Sequence, residues 1–201
     1  MKFRLLIIAF LLLILSGCSI FQTGFKSERK ALEHNLSLWE SFHMDGIVEV
    51  NYQAFSIRKN FALNKDGNEF HFTVFNAGLM GLNPKPLLKV DYVDSLTIDT
   101  SGFPGLSDSL PANIHIEELP FDFSVSKYLL PKSDEIMLNK KALLKKMEFN
   151  FNNKMQLSYV TFSKKDKVTF EYEFNGYPKE VCLVHNDKKF LTLQIDNYKK
   201  Q

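Results

Sequence analysis

Alternation between apolar and polar residues recurs along most of this chain of 201 residues. In the stretch from Val168 to Phe174, every even position is apolar or aromatic and every odd position is polar. A period of two residues places one kind of side chain on each face of a β-strand. One apolar and one polar face are typical of an antiparallel sheet that contacts water on one side. The chain is therefore predicted to be mostly β.

The same alternation, bounded by turn signals, predicts about nine strands joined by short connections. The turn at 64–68 contains an Asp-Gly pair, a strong hairpin signal. The middle of the chain is weaker: 101–111 is a predicted loop, 122–130 a predicted short helix that ends before Pro131, and 134–150 is ambiguous between strand and helix. The predicted strands are 47–52, 55–63, 69–74, 87–92, 95–99, 155–162, 168–174, 181–185 and 191–195.

One amphipathic helix is predicted near the N-terminus. Ser27 is a residue type that caps helices, and the helix is expected to run to about His43. Leu32, Leu36 and Trp39 fall on one stripe at helical spacing, whereas the opposite face is charged. A helix with one apolar stripe must lie against another element, so we expect it to pack on the sheet.

The first residues have the pattern of a secretory signal. Positive charges precede an apolar run from Leu5 to Leu15, which is shorter than the roughly 20 residues of a membrane-spanning helix. The run ends in Leu15-Ser16-Gly17-Cys18, which resembles the lipobox of bacterial lipoproteins. This resemblance implies cleavage after Gly17 and a lipid on the Cys18 thiol.

This lipid would anchor the protein to a membrane. Ser19, by the sorting rule of such lipoproteins, implies the outer membrane, and we expect the periplasmic face. The predicted organisation is a signal peptide (1–17), a lipidated tether (18–26) and a single domain (27–201).

Composition argues against several classes of function. The chain has 25 Lys plus Arg and 23 Asp plus Glu, and the signal peptide removes Lys2 and Arg4 but no acidic residue. The mature chain is therefore nearly neutral, which disfavours a nucleic-acid partner. No G-x-S-x-G or H-E-x-x-H motif and no phosphate-binding glycine loop occurs, and the five histidines are scattered. We expect no catalysis, no metal and no cofactor.

The predicted connection at 76–84 is unusually apolar for a loop. Loops usually lie on the surface, so its large side chains either pack back onto the sheet or contact a membrane or an acyl chain. The sequence leaves both alternatives open. The residues concerned are Leu79, Met80 and Leu82.

These features together resemble the LolA/LolB-like superfamily. The shared layout is a lipobox, an N-terminal helix with Trp39, and an antiparallel meander with an apolar connection after its third strand. Glu69 to Asn76 followed by Leu79 resembles the third strand and protruding loop of the family. Tyr177 to Val181 with Leu191 to Tyr198 resembles its terminal hairpin.

The resemblance implies an α+β, mostly β fold: a curved antiparallel sheet, or open half-barrel, with helices covering its concave face. It also implies a membrane-anchored binding module for acyl chains, which receives or inserts lipoproteins or lipids at the outer membrane, with a LolA-like carrier among the candidate partners. The alternative is a structural or regulatory envelope lipoprotein that binds a protein partner through the same sheet. Candidate cavity residues, each also a candidate for an ordinary core position, are Trp39, Phe55, Ile57, Phe70, Phe72, Val74, Phe170, Tyr172, Phe174, Leu191 and Leu193.

Overall fold

The computed structural model describes residues 25–52, 55–76, 84–102, 113–116 and 124–201. The predicted signal peptide and the predicted lipidation of Cys18 lie outside the described residues. So do the three apolar loop residues, Leu79, Met80 and Leu82. None of the described helices has the length and hydropathy needed to cross a membrane.

The described part of the chain forms one sheet of twelve strands, in which all neighbouring pairs are antiparallel. The spatial order is β6-β5-β4-β3-β2-β1-β12-β11-β10-β9-β8-β7, so the first and last strands pair in the middle and the sheet is open at β6 and β7 within these residues. The strands are β1 (Ser41–Tyr52), β2 (Phe55–Asp66), β3 (Glu69–Asn76), β4 (Lys85–Tyr92), β5 (Leu96–Asp99), β6 (Asn113–Ile116), β7 (Lys141–Leu144), β8 (Met147–Phe151), β9 (Leu157–Thr161), β10 (Asp166–Tyr172), β11 (Pro178–His185) and β12 (Lys188–Lys200).

The sheet is curved, and β-bulges in several ladders contribute to the bend. One bulge lies at Asp45/Gly46, where the register of β1 against β12 shifts. A Cβ atom on Gly46 would lie 2.0 Å from the carbonyl oxygen of Gln194, so only glycine permits this close approach of the two backbones. The prediction of a curved, mostly β fold with an antiparallel sheet and helices is confirmed.

Three helices and a 3₁₀ turn accompany the sheet in the described residues. They are α1 (25–37), α2 (Val125–Leu129), the 3₁₀ turn (Leu130–Lys132) and α3 (Ser133–Asn139). Leu32 and Leu36 of α1, Leu129 of α2 and Ile136 of α3 are buried together against strands β7 to β9.

The prediction that the first helix continues to His43 is wrong. Helix α1 ends at residue 37, a turn covers 38–40, and β1 begins at Ser41. Phe42, Met44 and Val48 are buried on one face of β1, so period-two burial determines the structure here. The helical spacing of apolar residues continues past the end of α1 by coincidence, because residues four positions apart share a face in a strand as well as in a helix.

The prediction of a short helix that ends before Pro131 is confirmed, because α2 ends at Leu129. Pro131 lies at the start of the 3₁₀ turn, where its missing N–H costs nothing, and the chain continues into α3. The ambiguous stretch 134–150 therefore resolves into α3 followed by the hairpin β7–β8. These two strands and β6 account for the difference between about nine predicted strands and the twelve observed.

Candidate functional site

Two clusters of buried apolar side chains lie on one face of the sheet. Val48, Leu193, Val181 and Phe170 are directly opposed along the ladders from β1 to β10, and directly opposed residues share a face. The helix-side cluster consists of Leu32, Leu36, Leu129, Ile136, Met137, Ala142, Phe149, Phe151, Met155, Leu157 and Val160. The strand-side cluster consists of Phe42, Met44, Val48, Phe61, Val74 and Ile195.

An apolar cavity of about 450 Å³ lies where the two clusters meet. This volume is in the range of small-molecule binding sites, roughly 300–1,000 Å³. Every described residue that lines it is apolar or aromatic except Lys65 and Lys145. The lining residues are Trp39, Phe42, Lys65, Val125, Tyr128, Leu144, Lys145, Met147, Phe149, Leu157, Val160, Phe162, Val168, Phe170 and Val181.

Trp39 forms the wall between the cavity and the strand-side cluster. Its ring makes edge contacts with Phe42 and Phe170, at centroid distances of 5.9 and 5.2 Å. Its indole donates a hydrogen bond to the hydroxyl of Tyr172, which donates in turn to the carbonyl of Leu157 at 2.8 Å. Burial raises the pKa of Tyr172 above its usual value, so this hydroxyl stays neutral. The wall is thus held by both packing and hydrogen bonds.

Helix α2 covers the cavity and is fixed from outside by Glu40. One carboxylate oxygen of Glu40 accepts hydrogen bonds from the backbone N–H and the hydroxyl of Ser126, at 2.9 and 2.5 Å. These bonds satisfy a donor in the first turn of a helix whose own cap residue makes no such bond. Val125 and Tyr128 of the same helix line the cavity.

Lys65 is the buried cation at the cavity. Its ammonium group donates to the backbone carbonyl of Glu40 at 3.1 Å and to that of Gly67. Buried charged groups need such partners, because removal from water otherwise costs several kcal/mol. The Trp39–Glu40 turn therefore connects the wall, the covering helix and the buried lysine.

The structure brings only some of the predicted cavity residues together. Trp39 and Phe170 line the cavity, and Tyr172 lies directly behind Trp39. Phe70 stacks on Tyr92 at a centroid distance of 5.9 Å. The predicted residues that pack in or against the strand-side cluster as core side chains are Phe72, Val74, Leu191 and Leu193. The side chain of Phe55 lies outside the described part of the structure.

The predictions that Phe174 and Ile57 line the cavity are wrong. Phe174 is fully exposed, because β10 ends at Tyr172 and a turn from Glu173 to Gly176 follows. The alternation of Phe174 with Phe170 continues past the end of β10, where pairing with a neighbouring strand no longer fixes which face a side chain occupies. Ile57 shares a face with Phe61 but is 45% exposed near the start of β2.

Much of the observed lining comes from the predicted short helix at 122–130 and from the stretch 134–150, which the sequence left ambiguous. Val125 and Tyr128 belong to α2, and Leu144, Met147 and Phe149 belong to the hairpin β7–β8. The alternation of Met147, Phe149 and Phe151 was a usable strand signal. Helix α2 lies within the predicted short helix at 122–130, but five residues are too few for a helical period to show which side chains face the cavity.

Comparison with known proteins adds a distant structural similarity. No family model matches this chain, and no curated protein matches it. Among solved structures, a LolA superfamily protein from Nitrosomonas europaea is similar with a TM-score of 0.46 and 8% sequence identity, over 87% of this chain and 94% of that chain. Similarity at this level supports no conclusion about function, which is inferred from the cavity instead.

Proposed function

We propose that this protein is a membrane-anchored binding module for acyl chains, which receives or inserts lipoproteins or lipids at the outer membrane. The observation that supports the proposal most directly is the apolar cavity between the two clusters. The anchor is the lipid expected on Cys18, and the proposed location is the periplasmic face. A LolA-like carrier is a candidate donor, and the role is binding rather than catalysis.

The energetics of the cavity suit reversible capture of hydrocarbon. Each buried CH₂ contributes ~0.8 kcal/mol. Burial of roughly ten methylenes would contribute about 8 kcal/mol, which corresponds to a micromolar Kd before the costs of ordering the chain are subtracted. An affinity of this size allows a chain to enter and leave without an energy source.

Photolabelling tests the proposal. Full-length lipidated protein in phosphatidylcholine nanodiscs is incubated with palmitate that carries a diazirine, irradiated, and mapped by peptide mass spectrometry. We expect labels on Phe149, Val160 and Phe170, which line the cavity. Labels confined to the exposed residues Phe174 and Leu143, or no labels at all, would favour the alternative of a lipoprotein that binds a protein partner.

Two neighbouring leucines provide a matched pair of variants. Leu144 lines the cavity, whereas Leu143 points to the opposite face of β7 and is 58% exposed. Leu144→Trp is expected to reduce cavity labelling about tenfold, equivalent to ~1.4 kcal/mol, because the larger ring occupies the binding volume. Leu143→Trp adds the same ring outside the cavity and should leave labelling unchanged. Equal labelling of both variants would contradict the proposal.

A further inference from the structure

Three hairpin turns carry a pair of adjacent lysines each. The pairs are Lys145–Lys146 between β7 and β8, Lys164–Lys165 between β9 and β10, and Lys188–Lys189 directly after the turn between β11 and β12. Alternate turns of an antiparallel meander lie at the same end of the sheet, and these are three alternate turns. Strands are spaced ~4.8 Å apart, so successive pairs lie about 10 Å apart along one edge. We call this edge the basic end.

Most of these lysines are available to a partner. Lys146, Lys164, Lys165 and Lys188 are exposed and form no ion pair with any other described residue. Lys189 forms an ion pair within the sheet, to Glu180 at 2.6 Å. The basic end therefore presents a row of exposed lysines over about 20 Å.

Two carboxylates are interspersed among the lysines. Asp187 lies 3.6 Å from the ammonium group of Lys167, which is a further cation at this end. Hydrogen bonds from His185 and then Ser163 hold the pKa of Asp166 below its usual value, so Asp166 is ionised as well. The lysines outnumber these two acids, and the balance at this end stays positive.

The opposite end of the sheet carries charges of both signs. The turn between β2 and β3 is flanked by Asp66 and Glu69, the turn between β4 and β5 contains Asp94, and the turn after β10 starts at Glu173. Lys154, Lys199 and Lys200 lie at that end too, and the ammonium group of Lys154 lies over the Phe174 ring. Acidic and basic side chains therefore nearly balance at this end, whereas lysines predominate at the basic end.

The cavity reaches the basic end. Leu144 and Lys145 at the first of these turns line it, and so does Phe162 at the second. Lys145 is exposed, and the Phe162 side chain is 43% exposed. An aromatic ring beside lysines is typical of surfaces that contact the interface of a bilayer.

We propose that the basic end docks on the anionic surface of a lipid bilayer, with the cavity facing the membrane. Clusters of lysines bind anionic headgroups electrostatically, and a cavity that reaches the docked surface can exchange an acyl chain without exposing it to water. The value of this orientation for chain exchange depends on the function proposed above, whereas docking itself does not.

The expected anchor is compatible with this orientation. Roughly seven residues separate Cys18 from the start of α1, and they span at most ~25 Å. Glu28 in the first turns of α1 accepts a hydrogen bond from Lys140 at 3.0 Å, just before β7. Strand β7 leads from Lys140 to Lys145 over about 17 Å. The tether is long enough for the lipid and the basic end to reach one bilayer.

Hydrogen exchange of the full-length lipidated protein tests the docking. The protein is placed in nanodiscs of phosphatidylcholine alone or of an equal mixture with phosphatidylglycerol. On the anionic nanodiscs, we expect slower amide exchange in the three lysine turns, with no change in the turns at the opposite end, 67–68 and 93–95. High salt should abolish the difference, because exposed charges are screened within a Debye length. Equal exchange on both lipids would overturn the proposal.

Charge reversal at the two ends gives a matched control. Lys164→Glu with Lys165→Glu should lower the anionic-lipid protection roughly tenfold, whereas Lys199→Glu with Lys200→Glu changes net charge equally at the opposite end and should retain it. All four positions are exposed, and thermal unfolding followed by circular dichroism verifies that both variants fold. An equal loss of protection in both variants would show that net charge alone determines binding, and would refute the proposal that the basic end docks on the membrane.

The acyl-labelling experiment in neutral nanodiscs separates the two proposals. Cavity labelling without anionic-lipid protection would leave the acyl function in place and remove the docking surface. Protection without cavity labelling would support the docking surface and remove the acyl function. Protection that appears only with an acidic protein, and not with phosphatidylglycerol, would assign the basic end to a protein partner and reject the membrane.

Discussion

The helix-side and strand-side clusters share one sheet face but differ in what covers them. In the helix-side cluster, side chains of all three helices fill the space above β7 to β9. All described members of the strand-side cluster come from strands, and Trp39, which packs against it, comes from the turn before β1. Several strand residues packed against the strand-side cluster keep part of their surface, namely Val50, Leu63, Phe72, Leu88, Leu191 and Leu193.

This difference explains why the cavity lies where it does. Close packing is achieved where helices with complementary side chains meet the sheet, and the helical cover ends with the short α2. Beyond α2, the Trp39 ring closes the gap with its edge contacts to Phe42 and Phe170.

The largest expected effects come from truncating one side chain in each cluster. Phe61→Ala in the strand-side cluster should lower the free energy of unfolding by ~3–5 kcal/mol, and Leu129→Ala under α2 by ~2–5 kcal/mol, since both side chains are buried and leave a cavity. Urea denaturation measures both values. Only Leu129→Ala is expected to alter palmitate labelling, because α2 also carries Val125 and Tyr128.

Labelling changes of the same size in Phe61→Ala and Leu129→Ala, each compared with wild type under native conditions, would contradict the separation of the clusters. Ile136→Ala in α3 is a useful third variant, because Ile136 is fully buried in the helix-side cluster but does not line the cavity. It should destabilise the protein by a similar ~2–5 kcal/mol and leave labelling unchanged.

A smaller effect is expected when the covering helix loses its external cap. Glu40→Ala removes both hydrogen bonds to Ser126 and should lower the unfolding free energy by ~0.5–2 kcal/mol, as loss of a helix cap does. Hydrogen exchange in 125–129 should become faster. Glu33→Ala on the exposed face of α1 serves as the control, since its ion pair with Arg29 is a surface contact worth little. Unchanged exchange in Glu40→Ala would show that packing alone holds α2.

The smallest effect concerns the outer face of the sheet, behind both clusters. Hydrogen bonds from the Cys182 thiol and then from Lys189 lower the pKa of Glu180 from its ordinary value of 4.5. A carboxylate with a lowered pKa stabilises the folded state fully above pH 4.5, and this contribution is lost as pH falls through the lowered value. Glu180→Gln should therefore reduce the acid sensitivity of stability slightly. An identical pH dependence in both proteins would exclude this contribution.

Local patterns predicted the C-terminal strands well because each carries its own alternation. Val168 and Phe170 lie on the apolar face as expected, with Val160 and Val181 opposite them. The sequence-based predictions failed where an apolar pattern continues beyond the helix or strand that it indicates. Trp39 continued a helical stripe into a turn, and Phe174 continued a strand alternation past the strand. Only the pairing of strands, which is not local, decides where an element ends.

The cavity was predicted as a property of the sheet but was only partly located. Its helical cover comes from α2, whose five residues carry no capping signal of their own and depend on Glu40, 86 positions earlier along the chain. A contact between residues so far apart in the sequence leaves no signal in a short stretch of the chain. The apolar loop around Leu79 and the lipidation of Cys18 stay predictions.

The pairing of β1 with β12 at the centre of the sheet has a consequence for biogenesis. Phe42 is opposite Lys200, so β1 gains its second neighbour only when β12 is available. During synthesis, β1 therefore has an open edge until β12 has been made, and such edges are prone to aggregate. Deletion of β12 would therefore remove a central strand and leave β1–β6 and β7–β11 without hydrogen bonds between them.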